Sequence, residues 1–586
     1  MEEKGMLTEP NGASAIPGRV VTIDMLIIAS LWCVSLVVVN PLGNFPLNDD
    51  WSYGLTVEHF VNSGDFRPTP NTAMPLLSNV LWGSLFCIPR GFSFTALRLS
   101  TLTLSLVGIL AVYLLMRELR QPRWLAVTAA VTLGSNPIYY ALSNTFMTDT
   151  HYIAITILAA IFFARSLRNG SDLDLTIGTA FAIAGILSRQ VAISVPLAFA
   201  VALILKHGFT RRNTLRAAIP VALCLGALLA FQHWLTGTGR LPALYHVKEE
   251  DLLLALSNPK TLVLSLAKNT FAGLLYLGLF LLPILLYALA DVVRSHRRQA
   301  IAFLTFALGT MALGSGVVAL HGFQPAGSYG GALPITRVMP MSGNVLMKSG
   351  IGPLMLPDNW LGLKYVPDLP ALPSGFWLAV TALSVVGAGF LITIVGVRAI
   401  NLTPTLRHGL LSDNEAVGIF FLLSAMIYLL PLFASNYIDR YLVPPTPFFA
   451  AGIACLAGYY TRSRPAYPRL LRFLAMGLLA ASSLFAVGTT RDYLAWNRLR
   501  WDALHDLVEN RRVNVQDIDG GLEFNALYMY DLHYKYNPTK NWWWVRGDTY
   551  RICFGTMPGY KVIKEYRYSH WVPPHAGKVV VLQKCS

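Results

Sequence analysis

Three carboxylates stand out by where they fall. The stretch "FPLNDDWSYG" carries Asp49 and Asp50 side by side, a few residues after the apolar run "MLIIASLWCVSLVVVN". A second stretch, "SNTFMTDTHYIAITILAAIFFAR", carries Asp149 at the start of another apolar run. A carboxylate at the edge of an apolar environment suits general-base work on a weakly nucleophilic hydroxyl, which is worth about 10²–10⁴-fold in rate. The competing reading is structural: Asp49 or Asp50 caps a helix that begins near Trp51, and Thr148 or Asp149 caps the next one. A charge in a span costs about 2.5–3.5 kcal/mol at the centre and less towards the interface. Two acidic sites at one membrane level therefore carry more weight than one alone. Two arginines hold comparable positions, Arg189 in "ILSRQVAIS" and Arg440 in "NYIDRYLVPP". Each suits anion binding, and each also suits snorkelling or an ion pair such as Arg440 with Asp439.

The elements that must position these groups are membrane spans. Of the 586 residues, 54% are hydrophobic and 13% charged, against about 25% charged in a typical soluble domain. Apolar runs of span length recur about thirteen times, near 21–40, 93–116, 124–141, 149–167, 174–188, 190–206, 215–234, 269–291, 300–320, 376–397, 416–434, 442–460 and 469–489. The apolar segment 75–90 is too short to cross and reads as an interfacial or re-entrant helix. The first run lacks the cleavage site of a signal peptide and reads as a retained span.

Every second loop is basic: "RELRQPR", "ARSLRNG", "KHGFTRRNTLR", "RSHRRQ", "RAINLTPTLRHG" and "TRSRPAYPRLLR". These loops face the cytoplasm by the positive-inside rule, which puts the N-terminus inside and Asp49, Asp50 and Asp149 on the outer face. The net charge of +15 is then a matter of topology, and nucleic acid is not expected as a partner. The outer loops at 41–92, 236–268 and 321–375 are long. From about Arg491 the chain turns polar and aromatic, and "GYKVIKEYRYSHW" and "GKVVVLQK" read as strands. The expectation is an all-α polytopic membrane domain over 1–490 followed by a small extracytoplasmic α/β domain over 491–586. The six cysteines form no metal-binding pattern, and a disulfide between Cys553 and Cys585 stays open.

The order of these features resembles the GT-C glycosyltransferases, above all the protein O-mannosyltransferases and the lipid A aminoarabinose transferases. "LNDDWSYGLTVEHFVNSGDF" is similar to their first outer loop, with its acidic pair, Tyr and "SGD"-like turn. "MTDTHYIAITILAAIFFAR" resembles their second acidic motif, "SNYIDRYLVPPTPFFAAG" their Arg-Tyr-x-x-Pro span, and "GGLEFNALYMYDLHY" a tail stretch of the bacterial members. The resemblance implies transfer of a sugar from a polyprenyl-phosphate-linked donor to a lipid, glycan or protein acceptor on the outer face of a bacterial inner membrane. It implies a base at Asp49, further acids at Asp50 and Asp149, and substrate contacts at Tyr53 and Tyr441. Arg189 and Arg440 are then candidates for the donor phosphate, whose developing charge a cation would stabilise. The chain reads "NTAMPLLS" where aminoarabinose transferases carry a Lys-Pro-Pro stretch.

Two further readings stay open. A divalent cation on Asp49, Asp149 and a histidine, His59 or His151, is one; Asp149 and His151 are two apart and share no helix face. No cofactor motif is present. The other is a non-enzymatic transporter or flippase of a polyprenyl lipid. That class should hold ionisable groups deep in its spans, whereas the notable ones here gather at one interface. "NWWWVRG" suits sugar stacking, an aromatic belt or the tail core.

Overall fold

The computed structural model describes residues 18–321, 345–347, 349–352, 372–408, 411–456, 469–535, 537, 540 and 543–585. Most of the expected outer loop 321–375 lies outside these residues. Among the described residues ten helices are long and apolar enough to cross a membrane: Arg19–Val39, Phe94–Glu118, Thr148–Asn169, Gln190–His207, Arg211–Gly237, Pro259–Ser295, Arg297–Leu320, Ser374–Thr405, Asp413–Ala434 and Arg469–Asn510. The protein is an all-α polytopic membrane protein with an α/β region after its last long helix.

Three of the thirteen expected spans are helical but fall short of that length. The run 124–141 is split into Arg123–Gly134 and Pro137–Ser143. Asn136 causes the break: its side chain accepts from the backbone N–H of Ile138 and Tyr139, and Pro137 starts the next helix. The run 174–188 becomes Asp172–Ile186, capped by Ser171 accepting from Asp174 N–H. The run 442–460 is helical over Pro445–Leu456, and residues 457–460 lie outside those described. The short apolar segment near 75–90 forms the helix Leu77–Cys87. Its Ser78 hydroxyl donates to the Ala184 carbonyl (2.6 Å), and Ser188 donates to Asn79 Oδ1 (2.7 Å).

The helices pack closely where small residues allow it. Gly278 of Pro259–Ser295 and Gly387 of Ser374–His408 face each other; a Cβ on Gly278 would lie 2.2 Å from the Ala388 backbone nitrogen. No larger residue permits that crossing, which uses close backbone approach where lipid supplies no hydrophobic drive. At one end of the bundle the basic loops gather. Arg165 meets Glu118 at 3.0 Å, Lys206 meets Asp413 at 2.6 Å, and Arg216 meets Asp172 at 3.1 Å.

The tail is built on the last long helix. Arg469–His505 runs through the expected division at residue 490 without a break. Beyond it the strands Ile518–Asp519, Tyr550–Cys553, Pro574–Lys584 and Tyr560–Trp571 lie side by side in that order, the first pair parallel and the others antiparallel. Both expected strands fall within this sheet. Asp492 of the long helix accepts from the backbone N–H of Trp571 and Val572 at 2.8 Å each, fastening the hairpin tip to it. Cys553 is buried, Cys585 is exposed, and neither is in a disulfide.

Candidate active site

The helix Asp50–Ser63 follows the first long helix after a loop, and Asp49 stands at its N-cap position without a side-chain capping bond. The Asp49 carboxylate meets Arg440 instead, with Oδ2 3.3 Å from Nη2. Asp149 lies at the start of Thr148–Asn169, whose cap residue, Met147, also makes no side-chain bond. Its Oδ1 accepts from Arg189 Nη1 at 2.8 Å, and its Oδ2 lies 3.7 Å from Arg440 Nη1. The capping readings thus fail for both acids.

The two acids and two guanidiniums form one chain: Asp49, Arg440, Asp149, Arg189. Side-chain exposure is 33% at Asp49 against 6% at Arg440, 1% at Asp149 and 7% at Arg189. Asp49 is therefore the exposed end of the chain. Tyr441 sits beneath both guanidiniums, its ring centroid 5.2 Å from Arg189 Cζ and 5.4 Å from Arg440 Cζ. Such stacking suits planar Arg rather than Lys. Tyr53 is buried next to the same group, and burial together with the Asp49 charge pushes its phenol up, so it remains a hydrogen-bond donor. Arg440 does not pair with Asp439 through its guanidinium. Asp439 accepts instead from the backbone N–H of Val345, Leu346 and Arg440 at 3.0, 2.8 and 2.7 Å.

Asp50 goes elsewhere. It is buried, its Oδ1 takes the Leu47 N–H, and its Oδ2 takes the Phe146 N–H at 3.1 Å. Phe146 lies two residues before Thr148, so Asp50 ties the first outer loop to the start of the helix that bears Asp149. Burial pushes the Asp50 carboxyl up to about 8, against the pull of Arg98 and of the two amides.

Arg98 was not singled out in the sequence. It is buried and donates to the carbonyls of Pro41 (2.7 Å), Gly43 (3.1 Å) and Phe45 (2.9 Å), holding the loop that leads to Asp49. A lone arginine in the apolar run "ALRLSTLTLSL" was the available signal. Glu523 and Arg500 were also missed. Both are fully buried and pair at 2.8 Å, and Glu523 reaches back to the Asn48 N–H at 2.9 Å.

The metal arrangement left open above does not form among the described residues. Both acids lie against guanidiniums, and His151 Nδ1 faces the Met147 carbonyl at 3.3 Å. His59 pairs with Asp65 at 3.5 Å. Among the described residues no three His, Cys, Asp or Glu side chains stand together to hold a metal ion. The donor set does not fit a divalent cation.

Residues 74–236 match the family model described as "Dolichyl-phosphate-mannose-protein mannosyltransferase". That stretch contains both Asp149 and Arg189. The match covers less than a third of the chain and marks a likeness to that family over this stretch alone. Asp49 and Arg440 lie outside the matched stretch and are joined to it by the contacts above. Among curated proteins none matches the chain by sequence. Two solved structures resemble it loosely. ArnT from Cupriavidus metallidurans bound to undecaprenyl phosphate shares 13% identity over 97% of this chain and 99% of that one, with a TM-score of 0.35. The Archaeoglobus fulgidus oligosaccharyltransferase tethered to an acceptor peptide shares 15% over 84% of this chain and 58% of that one, with a TM-score of 0.40.

Proposed function

We propose that the protein transfers a sugar from a polyprenyl-phosphate-linked donor to an acceptor hydroxyl on the outer face of a bacterial inner membrane. The observation that carries this reading is the Arg440 guanidinium held between a partly exposed carboxylate, Asp49, and a buried one, Asp149. Arg440 Nε has no hydrogen-bond partner among the described residues, so the fork retains donor capacity for a phosphate oxygen. A phosphate that draws Arg440 Nη2 to itself releases the Asp49 carboxylate to take the acceptor proton. Asp149 and Arg189 hold the fork in place, Tyr441 supports both guanidiniums, and Tyr53 supplies a neutral donor beside Asp49. Asp50 positions the loop and does not touch the reacting groups. The acceptor is a lipid, glycan or protein; its class is left open.

The same contacts support thirteen passes with the N-terminus inside and the tail outside. Ten passes would leave both termini on one side. Asp49 and Asp149 share Arg440, so the chain must return to the outer level between Glu118 and Thr148. The broken pair Arg123–Gly134 and Pro137–Ser143 covers that distance, since 21 residues at about 1.5 Å each reach about 30 Å. Arg189 meets Asp149, so Asp172–Ile186 must come back to the same level. Glu523 meets Asn48, which supports the outer level for the end of Arg469–Asn510 as well, and Pro445–Leu456 is the helix among the described residues that leads away from that level before it. The outer tail, from within Arg469–His505 onward, is the unit we place beside the acceptor cleft.

The test is purified protein in liposomes given a polyprenyl-phosphate sugar, assayed in parallel for sugar transfer and for lipid translocation. Transfer lost in Asp49→Asn supports the reading. Translocation without transfer in the wild type rejects it in favour of a flippase.

A further inference from the structure

The stretch "GGLEFNALYMYDLHY" has no part in the proton and phosphate chemistry above, yet its glutamate is among the most deeply buried charges in the protein. Glu523 lies in the helix Leu522–Met529 and is fully buried. Oε2 pairs with Arg500 Nη1 at 2.8 Å, and Arg500 is itself fixed by donating from Nε to the Gly520 carbonyl at 2.8 Å. Oε1 accepts the backbone N–H of Asn48 at 2.9 Å, across 475 residues of sequence. Asn48 precedes Asp49 directly and has φ +59, a left-handed conformation uncommon outside glycine that Asn adopts more readily than most residues. Neighbouring contacts bring the same two parts together. Trp51 packs on Tyr530 and Trp544 at 5.3 and 6.1 Å between ring centroids, and Phe45 stacks on Trp501 at 6.3 Å.

We infer that Glu523 is a positioning residue for Asp49, through which the tail holds the acidic loop in its reactive geometry. This rests on Asp49 acting at the site, as proposed above. Both carboxylate oxygens are used, one on the tail's own frame and one on the loop, so the side chain works as a strut between two units. Without it the Asn48 N–H loses its acceptor, the left-handed turn relaxes, and Asp49 moves relative to Arg440. A displacement of about 1 Å at a reacting group costs on the order of 10²-fold in rate. Donor affinity should hold, because Arg440 and Arg189 are fixed by Asp149 and by Tyr441 rather than by the tail.

The experiment compares the wild type with Glu523→Ala and Glu523→Gln in nanodiscs by hydrogen–deuterium exchange, polyprenyl-phosphate affinity and initial rate of transfer. In Glu523→Ala, exchange of the Asn48–Asp50 amides should rise while the strands Tyr560–Trp571 and Pro574–Lys584 stay protected. Its turnover should fall by about 10²-fold at unchanged affinity for polyprenyl phosphate. Glu523→Gln keeps a carbonyl oxygen for Asn48 N–H. It should hold turnover within about threefold even where the loss of the Arg500 pair lowers its thermal midpoint. A purely structural Glu523 would make turnover follow the thermal midpoint in both variants, which would overturn the inference. Unchanged exchange at Asn48 in a folded Glu523→Ala would overturn it as well. The exchange measurement does not depend on which reaction the protein catalyses. A wild type that shows the loosening on Glu523→Ala but transfers no sugar therefore counts against the proposed function, and not against the strut.

Discussion

Arg440→Gln tests the centre of the site. Two carboxylates and two guanidiniums make the cluster neutral, so removing Arg440 leaves it with one net negative charge facing an anionic donor. Unit charges about 4 Å apart interact by about 4 kcal/mol at an effective dielectric of 20. Truncating one partner of a buried charge-assisted hydrogen bond costs about 2–5 kcal/mol. Both routes give a loss of donor affinity of at least about 30-fold. The fold should survive. Asp149, 1% exposed, keeps its 2.8 Å pair with Arg189, and Asp49 is a third exposed. Neither acid is left as an isolated buried charge, the situation that costs about 3–5 kcal/mol. Arg440→Lys restores the charge but neither the fork nor the stacking on Tyr441, so its affinity should fall between the two. The assay is equilibrium binding of polyprenyl phosphate to protein in nanodiscs, with the thermal midpoint measured alongside. Wild-type affinity in a folded Arg440→Gln would show that the guanidinium only neutralises Asp49 and Asp149, and would refute its role on the phosphate.

The remaining predictions concern the acids and the topology. Asp49→Asn should lower turnover by about 10²–10⁴-fold with donor affinity retained; full turnover in the purified variant would remove Asp49 as the base. Asp149→Asn should lower both turnover and donor affinity, since it loosens two guanidiniums at once, and initial rates with a binding isotherm separate the two effects. Burial holds the Asp50 carboxyl near 8 against 3.8 in an unfolded chain. The folded state thus keeps a proton that the unfolded state releases, and this contribution to stability is lost as pH rises between those values, by at most about 1.4 kcal/mol per pH unit. The thermal midpoint of the wild type should fall from pH 6 to pH 9 and that of Asp50→Asn should fall less; parallel curves would rule out Asp50 as the titrating group. Reporter fusions after Arg120 and after Trp501 should report opposite sides of the membrane, and agreement between them would break the thirteen-pass topology.

What the sequence made legible follows from which signals are local. Apolar runs and alternating basic loops are read along the chain, so the long helices and the two tail strands were located, although Pro259–Ser295, Ser374–His408 and Arg469–His505 each run about ten or more residues past an expected end. The break at Asn136-Pro137 marks where a local rule competes with hydropathy: a cap and a proline divide a run that is apolar throughout. The acids and arginines were legible as polar exceptions at the ends of apolar runs, but their partners were not. Nothing in the spacing of Asp49 and Asp50 tells which of two adjacent residues faces Arg440 and which turns inward to the amides of Leu47 and Phe146. That choice is made by the left-handed turn at Asn48, and the turn is held by Glu523, 475 residues away. Asp149 shows the same limit: it was read as a second acid at the outer membrane level, and it is the buried joint between two guanidiniums. The polarity of a residue can be read from one line of sequence. Its role here depends on pairings between segments that only the folded bundle and its tail bring together.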